Sequence, residues 1–258
     1  MNRPLIVAHR GASAFAPENT IAAFMKAIES GSDGMEFDVR LSKDGVPVVI
    51  HDSTLLRTAG INEPVAARTA DELSRIDAGS WFNAAHPEHS RPEFAGERIA
   101  SLRTTLLLLE KIPGPIYIEI KCDNEDEVPA LVDAVCREIT DSPLLEKIIV
   151  KSFRLEVIPR VRAVLPAVRT GALFAPKVMR LLRKEKYLIN IARELGADHL
   201  SIHKSLVSAK LVRKAEKHGM PVAVWTVESR RWIPWAEKRG LFALITNDPS
   251  KMLDGRSS

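Results

Sequence analysis

Three carboxylates lie inside runs of residues that favour β-strands, where charged side chains are uncommon. Glu36 and Asp38 are two positions apart in one run, so they project from the same face of a strand, and Glu119 lies in a later run. If these strands are neighbours, the negative charges meet and need a counter-charge. The oxygen ligands suit one hard divalent cation, Mg²⁺ or Ca²⁺. The alternative is that each carboxylate pairs with an arginine or a lysine.

Two histidines, His9 and His51, end strand-like runs. Imidazole titrates near neutral pH, so one of them could accept a proton while the other donates one. Arg10 follows the first histidine and Lys121 follows the third carboxylate. Both could neutralise phosphate oxygens, or could pair with the acidic cluster. Trp225 ends another run and could form an apolar wall for a substrate, or could serve packing alone.

Strand-like runs alternate with segments of helical periodicity along the whole chain. This alternation predicts βα units and a parallel sheet. In a barrel of such units, the carboxyl ends of the strands form the active site. The strand-like runs are Leu5–His9, Gly34–Val39, Val46–His51, Ile116–Lys121, Ile148–Ser152, Val168–Leu173, His199–Ile202, Val222–Thr226 and Leu241–Thr246. The helical segments are Thr20–Glu29, Asp126–Ile139, Ser205–Lys217 and Ser229–Lys238.

The run Val46–His51 is one strand too many for an eight-stranded barrel. Asp44-Gly45 just before it is a hairpin signal, and the link is too short for a parallel crossover. We therefore predict that Val46–His51 runs antiparallel to Glu36–Arg40 and brings His51 near Asp38. Eight parallel strands remain, which predicts an α/β protein with a TIM (β/α)8 barrel.

Residues 53–100 interrupt the alternation. They are rich in glycine and proline, with one short helix-like piece at Ala70–Ile76. This composition predicts a small inserted subdomain after the second strand, without enough apolar residues to be a domain of its own. The chain is then a single domain spanning residues 1–258, with the insertion at about 53–100.

The net charge of +4 is unevenly distributed. Residues 1–129 carry 13 Lys/Arg and 20 Asp/Glu, whereas residues 130–258 carry 24 and 13. An acidic half suits a cation and a basic half suits an anionic substrate, although solvated helix faces explain the same numbers. An amphipathic basic run could contact lipid headgroups or be an ordinary solvated barrel helix. That run comprises Lys177, Arg180, Arg183, Lys184 and Lys186.

Targeting and redox signals are weak. No stretch approaches the roughly 20 apolar residues of a membrane span, and the apolar run at the N-terminus is too short for a secretory signal. The two cysteines, Cys122 and Cys136, do not suggest a disulfide framework. We expect a cytoplasmic protein without an integral membrane segment, acting on a small molecule and not on nucleic acid.

The order of these motifs along the chain resembles the glycerophosphodiester phosphodiesterase family. The resemblance covers nearly the whole chain, and the joint match is specific. It is carried by His9-Arg10-Gly11-Ala12, Pro17-Glu18-Asn19-Thr20, Glu36-Phe37-Asp38-Val39, Asp44-Gly45, His51-Asp52, Glu119-Ile120-Lys121, Ser152-Phe153, Trp225-Thr226-Val227 and Ile245-Thr246-Asn247-Asp248-Pro249.

The resemblance implies a TIM barrel that hydrolyses glycerophosphodiesters to sn-glycerol 3-phosphate and an alcohol. It implies metal ligands at Glu36, Asp38 and Glu119, and acid/base histidines at His9 and His51. It further implies that Arg10 and Lys121 hold the phosphate and that Trp225 borders the glycerol. The related phosphatidylinositol-cleaving barrels suggest His9 as the base and His51 as the acid. The chain is similar to the cytoplasmic bacterial branch.

Two segments depart from the family pattern. Glu228 stands where an asparagine often follows the Trp-Thr-Val motif, and the segment Ile99–Thr104 differs from the usual sequence before the next helix. Two rival hypotheses remain. A lysophospholipase D on the same scaffold would need an apolar groove, which the insertion could line. A catalytically silent barrel would bind phosphodiesters without turnover.

Overall fold

Nine strands occur in the part of the chain that the computed structural model describes, residues 3–178 and 186–257. They are β1 (Leu5–His9), β2 (Gly34–Leu41), β3 (Pro47–Val49), β4 (Ile116–Ile120), β5 (Ile148–Ser152), β6 (Arg169–Phe174), β7 (His199–His203), β8 (Val222–Trp225) and β9 (Ala243–Thr246). All except β3 pair in parallel, and because β1 pairs with both β2 and β9 the sheet closes on itself. The predicted eight-stranded barrel is confirmed.

Helices connect the barrel strands. They are α1 (Ile21–Glu29), α2 (Leu56–Ala59), α3 (Ala70–Leu73), α4 (Ser80–Ala85), α5 (Leu102–Leu108), α6 (Glu127–Thr140), α7 (Val157–Val164), α8 (Lys186–Glu194), α9 (Ala209–Lys217), α10 (Trp232–Glu237) and α11 (Pro249–Ser257). Helix α9 begins later than predicted because Ser208 caps it, accepting a hydrogen bond from the Leu211 N–H at 3.1 Å. No helix in the described ranges is long and apolar enough to cross a membrane. Of the predicted amphipathic basic run, Arg180, Arg183 and Lys184 lie outside the described residues.

Strand β3 forms the predicted hairpin with β2. Val39 pairs with Val49 in antiparallel register, and the Ile50 N–H donates to the Asp38 carbonyl at 3.0 Å. Ile50 therefore lies opposite Asp38, and His51, which was predicted near Asp38, is the next residue along the chain. The extra strand hydrogen-bonds to β2 outside the barrel ring, as predicted.

The segment between β3 and α5 packs against the hairpin. Its apolar side chains form one buried cluster with β3, comprising Val48, Ile50, Leu55, Val65, Leu73, Ala78 and Ile99. A second cluster joins it to α1 through Ala16, Ala23, Phe82 and Phe94. Since this segment buries its apolar residues against the barrel, we propose that residues 53–100 are an insertion within one domain.

The barrel has apolar layers on both faces of its sheet, as parallel sheets generally do. Two large clusters fill the space between strands and helices, one in each half of the chain. A smaller cluster lies inside the barrel and contains Val7, Tyr117, Ile149, Ala223, Ala243 and Ile245. This inner layer fills the barrel below the carboxyl ends of the strands, and polar side chains occupy those ends.

A buried histidine on β7 should make stability depend on pH. His199 is 4% exposed and packs edge-on against Phe242, with ring centroids 5.2 Å apart. Burial lowers its pKa from 6.5 to about 4. In the unfolded chain His199 therefore binds a proton as the pH falls below 6.5, whereas in the folded protein it stays neutral down to about pH 4. Stability is lost as pH falls through this window, by up to about 3 kcal/mol.

We expect His199→Phe to remove this pH-dependent loss of stability. Between pH 7 and pH 4.5, the free energy of unfolding of the parent should fall by about 2–3 kcal/mol more than that of the variant. Urea denaturation at both pH values measures the difference. His218→Phe, at an exposed position after α9, is the control and should behave like the parent. The same pH dependence in the parent and in His199→Phe would show that His199 does not titrate in this window.

Candidate active site

The strand register brings the predicted chemical residues together. His9 pairs with Glu36 across β1 and β2, and Asp38 pairs with Glu119 across β2 and β4. Glu119 pairs in turn with Lys151 on β5. Glu36 and Asp38 lie within β2, but the register sets them beside His9, Glu119 and Lys151, which lie at or next to the carboxyl ends of β1, β4 and β5, the catalytic end of a TIM barrel.

The three predicted carboxylates form one buried cluster. Glu36, Asp38 and Glu119 are 0%, 1% and 4% exposed, and one oxygen from each lies within 4.8 Å of the others. Charged groups of the same sign at this separation and burial repel strongly unless cations compensate them.

Cationic side chains surround this cluster. Arg10 Nε lies 3.1 Å from Asp38 Oδ2, and Lys121 Nζ lies 3.2 Å from Asp38 Oδ1 and also contacts Glu119. Lys151 Nζ lies 2.9 Å from Glu36 Oε1. The pairing of the carboxylates with arginine and lysine, which the sequence left open as an alternative to a cation, is thus present.

The surroundings shift the three carboxyl groups in different directions. Burial raises the pKa of Glu119 and outweighs the cations beside it. Burial also opposes ionisation of Asp38 and Glu36, but there ion pairing prevails, and Arg10 and Lys151 respectively hold the pKa values below the usual range. Glu119 is therefore the carboxyl group that most needs a further positive charge.

The cluster has the donor set of a hard cation site. Glu36 Oε1, Asp38 Oδ1 and Glu119 Oε1 are buried carboxylate oxygens that face lysine ammonium groups, Lys151 for Glu36 and Lys121 for the other two. Oxygen ligands bind Mg²⁺ or Ca²⁺ at about 2.0–2.6 Å, so ligands of one ion lie up to about 4–5 Å apart. The measured separation fits this range, and the residues present could hold one divalent ion.

Lys151 received no role from the sequence pattern, although a lysine within the apolar run Ile148–Ser152 was a detectable signal. Its side chain is 2% exposed, and its ammonium lies 5.5 Å from the centre of the Tyr117 ring. Buried lysines are rare unless paired, and here the partners are Glu36 and, at 3.8 Å, Glu119. Lys151 therefore belongs to the charge balance of the cluster.

We expect Lys151→Met to lower the free energy of unfolding by about 3–5 kcal/mol, because removing one partner leaves a buried charge unpaired. Urea denaturation in EDTA measures this without a divalent ion to replace the lysine. Lys217→Met, at an exposed position of α9, should change stability by less than about 0.5 kcal/mol. Equal stability of the two variants would mean that the pair with Glu36 contributes nothing.

His9 is oriented by a residue from the far end of the chain. Its Nδ1 lies 2.6 Å from Asn247 Oδ1, an oxygen that only accepts, so Nδ1 carries the proton and Nε2 keeps a free lone pair. Nε2 lies 3.8 Å from Glu36 Oε2. Burial lowers the pKa of His9, although Glu36 acts in the opposite direction. A neutral imidazole with its lone pair toward the cluster is suited to accept a proton.

His51 has a different partner. Its Nδ1 lies 2.6 Å from Asp52 Oδ1, so the ring is held by a carboxylate and not by an amide. Burial lowers the pKa of His51 as well, while Asp38 and Asp52 raise it. A carboxylate on Nδ1 stabilises the imidazolium form, which is the form that donates a proton. The two histidines thus differ in the charge of the group behind them.

The turn after β1 places Arg10 and depends on Gly11. Gly11 has a φ of +82°, and a Cβ there would lie 2.6 Å from the backbone of Ala23 on α1. Only glycine allows this close approach without strain. The Arg10 N–H donates to the Glu36 carbonyl at 2.7 Å, which fixes the turn to β2.

Asn19 orients Asp38, a role that the sequence did not reveal. Its Nδ2 donates to Asp38 Oδ2 at 2.9 Å, and its Oδ1 accepts from the Asp38 N–H at 3.2 Å. Thr20, and not Asn19, caps α1 by accepting from the Ala23 N–H at 3.3 Å. In the Pro17–Thr20 motif, Thr20 thus caps the helix and Asn19 holds the Asp38 carboxylate.

Trp225 forms an aromatic wall beside the cluster. Its ring meets Phe153 and His203 edge-on, at centroid distances of 5.5 and 5.1 Å. Phe153 is 41% exposed, and Lys121 Nζ lies 5.5 Å from its ring centre. Lys121 thus links the wall to the cationic side of the cluster, and contact of Trp225 with a substrate remains a prediction.

Glu228, the departure from the family pattern, lies behind the site. Its Oε1 accepts from the Asn247 N–H at 3.3 Å, and burial raises its pKa. It supports the residue that orients His9 and belongs to the outer layer of the site. No contact places it in the carboxylate cluster among the described residues.

Comparison with known proteins gives consistent matches. The sequence pattern of the glycerophosphoryl diester phosphodiesterase family matches residues 9–251. A glycerophosphodiester phosphodiesterase from Caldanaerobacter subterraneus subsp. tengcongensis is 32% identical over 258 residues, covering 98% of this chain and 97% of the relative. One from Bacillus subtilis is 30% identical, covering 96% and 85%. Among solved structures, an Oleispira antarctica phosphodiesterase in complex with the product sn-glycerol 3-phosphate matches with a TM-score of 0.85 and 25% identity, covering 99% and 98%.

Proposed function

We propose that this chain, which belongs to the glycerophosphoryl diester phosphodiesterase family, hydrolyses glycerophosphodiesters to sn-glycerol 3-phosphate and an alcohol. The observation that carries the proposal is the buried cluster of Glu36, Asp38 and Glu119 between two histidines of defined orientation. The similarity to a phosphodiesterase that binds sn-glycerol 3-phosphate supports the identity of the product.

The carboxylate cluster would hold one divalent cation, Mg²⁺ or Ca²⁺, through Glu36, Asp38 and Glu119. When bound, such an ion acts as a Lewis acid toward the phosphoryl group. The hydrogen bonds from Asn19 and the ion pair with Arg10 hold the Asp38 carboxylate in place for this role. The hard oxygen donor set supports either ion over a transition metal.

Arg10 and Lys121 would bind the non-bridging phosphate oxygens. Both side chains are mostly buried beside the cluster, and both keep their charge because Asp38 raises their pKa values against the effect of burial. Fixed cations stabilise the negative charge that grows in the transition state. The glycerol would then lie along the aromatic wall at Trp225.

The two histidines would move the protons. His9 accepts the proton of the nucleophile at Nε2. The nucleophile is water, or it is the 2-hydroxyl of the glycerol, which would give a cyclic phosphate that a water molecule then opens to sn-glycerol 3-phosphate. The P–O bond to the alcohol then breaks, and His51 gives its proton to the departing alkoxide. Asn247 and Asp52 behind the rings support this division, because the amide favours a neutral base and the carboxylate favours a charged acid.

One feature supports a short, soluble substrate, and another supports a cytoplasmic location. Most apolar side chains of the insertion pack on β3, on α1 and on one another, and although Leu56 is 54% exposed, few of them remain available to an acyl chain. Both cysteines are free, in keeping with a reducing compartment, and we propose a cytoplasmic location on this basis and on the resemblance to cytoplasmic bacterial enzymes.

The test is a panel of sn-glycero-3-phosphocholine, sn-glycero-3-phosphoethanolamine and lysophosphatidylcholine, each assayed with Mg²⁺, Ca²⁺ or EDTA. We expect sn-glycerol 3-phosphate to be released from the first two with a cation and not in EDTA. Faster release of choline from lysophosphatidylcholine would favour the lysophospholipase D. Absence of turnover on every diester would favour the hypothesis of a catalytically silent barrel that only binds phosphodiesters.

A further inference from the structure

Arg57 lies outside the barrel but contacts the partners of two site residues. It belongs to α2, in the insertion, and its guanidinium donates from Nε to Asp52 Oδ2 at 2.6 Å. Its other two nitrogens donate to the Glu18 carboxylate, from Nη1 at 3.0 Å and from Nη2 at 2.7 Å. The guanidinium also lies over the ring of Trp81, 5.5 Å from its centre. One side chain thus bridges two loops at the catalytic end.

Each carboxylate that Arg57 holds also holds a residue of the site. Asp52 Oδ1 accepts from His51 Nδ1 at 2.6 Å, while Oδ2 accepts from Arg57. Glu18 Oε1 accepts from Arg10 at 2.9 Å as well as from Arg57. The five side chains form a continuous chain, with Arg57 as its middle member.

The fork of an arginine is suited to this bridge. A guanidinium presents five N–H donors in one plane and stays charged throughout the working pH range, whereas a lysine ammonium offers a single point of contact. Burial opposes ionisation of Asp52, but the hydrogen bond from Arg57 lowers its pKa and keeps it a carboxylate. With both Asp52 oxygens engaged, the carboxylate cannot rotate away from His51.

We propose that Arg57 is a positioning residue for proton donation: through Asp52 it fixes the orientation of His51, and the clamp on Glu18 holds Arg57 itself in place. The inference rests on the proposed function and deepens it, because it makes the insertion a participant in the leaving-group step. Residues that orient catalytic groups from behind typically contribute about 10–100-fold to activity.

The experiment compares kcat/KM on two diesters, sn-glycero-3-phosphocholine and a glycerol nitrophenyl phosphodiester, whose leaving group hardly needs a proton. We expect Arg57→Gln to lose about 10–100-fold on the choline diester and at least about tenfold less on the nitrophenyl diester. In the His51→Ala background, Arg57→Gln should cost less than about threefold on the choline diester, because its effect passes through His51.

Two further variants make the outcome decisive. Arg68→Gln removes an insertion arginine that pairs with Glu63 away from the site and should leave both activities unchanged. Arg57→Lys keeps the charge without the fork, should show the same selective loss as Arg57→Gln, and tests the proposal if Arg57→Gln fails to fold in circular dichroism. Equal losses on both diesters, or an undiminished loss in the His51→Ala background, would overturn the proposal. Inactivity of the parent on both diesters would instead reject the proposed function.

Discussion

Glu36→Gln, Asp38→Asn and Glu119→Gln should each lower kcat/KM on a glycerophosphodiester by at least about 10³-fold. The expectation follows from the cluster: each amide removes one anionic ligand from a site that would hold one cation. A bound metal ion contributes several kcal/mol of transition-state stabilisation, and 1.36 kcal/mol corresponds to a factor of ten. Activity is measured against added Mg²⁺ and Ca²⁺, with isothermal titration of each ion as a second readout.

The three variants should differ in stability. Neutralisation of Asp38 removes the counter-charge of Arg10 and Lys121 and also weakens the hydrogen bond from Asn19, so we expect this variant to lose the most stability. Glu119, whose pKa burial raises, should tolerate the amide best. Asp133→Asn, which breaks a pair with Arg160 on the outer helices, is the control for charge removal and should keep full activity. Full activity of the parent in excess EDTA would reject the metal role.

The second large effect separates the two histidines by leaving group. Choline leaves as an alkoxide that needs a proton as the P–O bond breaks, whereas nitrophenolate hardly does. General acid catalysis is worth about 10²–10⁴-fold, and most of this should disappear with the better leaving group. His51→Ala should therefore be badly impaired on sn-glycero-3-phosphocholine and largely recover on the nitrophenyl diester. His9→Ala should be impaired on both, because the nucleophile still has to lose its proton.

The partners of the two rings supply the structural reason for this assignment. Asp52 behind His51 favours the protonated ring, and Asn247 behind His9 favours the neutral ring. The measurement is kcat/KM for both variants on both diesters. Recovery of His9→Ala in place of His51→Ala would exchange the roles. Recovery of neither variant would show that protonation of the leaving group does not limit the rate, or that a water molecule supplies the proton.

The sequence predicted the fold through features that act locally. The alternation of strands and helices indicated the barrel, and the Asp44-Gly45 turn assigned β3 to a hairpin, because both depend on residues close together in the chain. The carboxylates Glu36 and Asp38 were recognisable because a charged side chain in a buried strand is costly. Boundaries were less accurate where a side chain decides them, as Ser208 does for α9.

The outer layer of the site could not be predicted in this way. Asn247 contacts His9 across 238 positions of the chain, and Arg57 contacts Glu18 across 39. Contacts between residues this far apart produce no periodic pattern, so the sequence could not predict them. Asparagine and threonine both commonly cap helices, and only the backbone conformation shows that Thr20 has this role here while Asn19 is left to orient Asp38. The roles of the individual site residues remain predictions that the variants above test.

The proton-transfer site cannot assemble on a nascent chain until β9 and the Asn247 that follows it have been synthesised. The partner of His9, Asn247, lies 238 positions further along the chain and follows β9, the strand that also covers the open edge of β1. Until then β1 has an unpaired edge, which is a template for aggregation. A circular permutant that begins in an exposed loop of the second half would synthesise β9 before β1, and so protect that edge as soon as β1 is made.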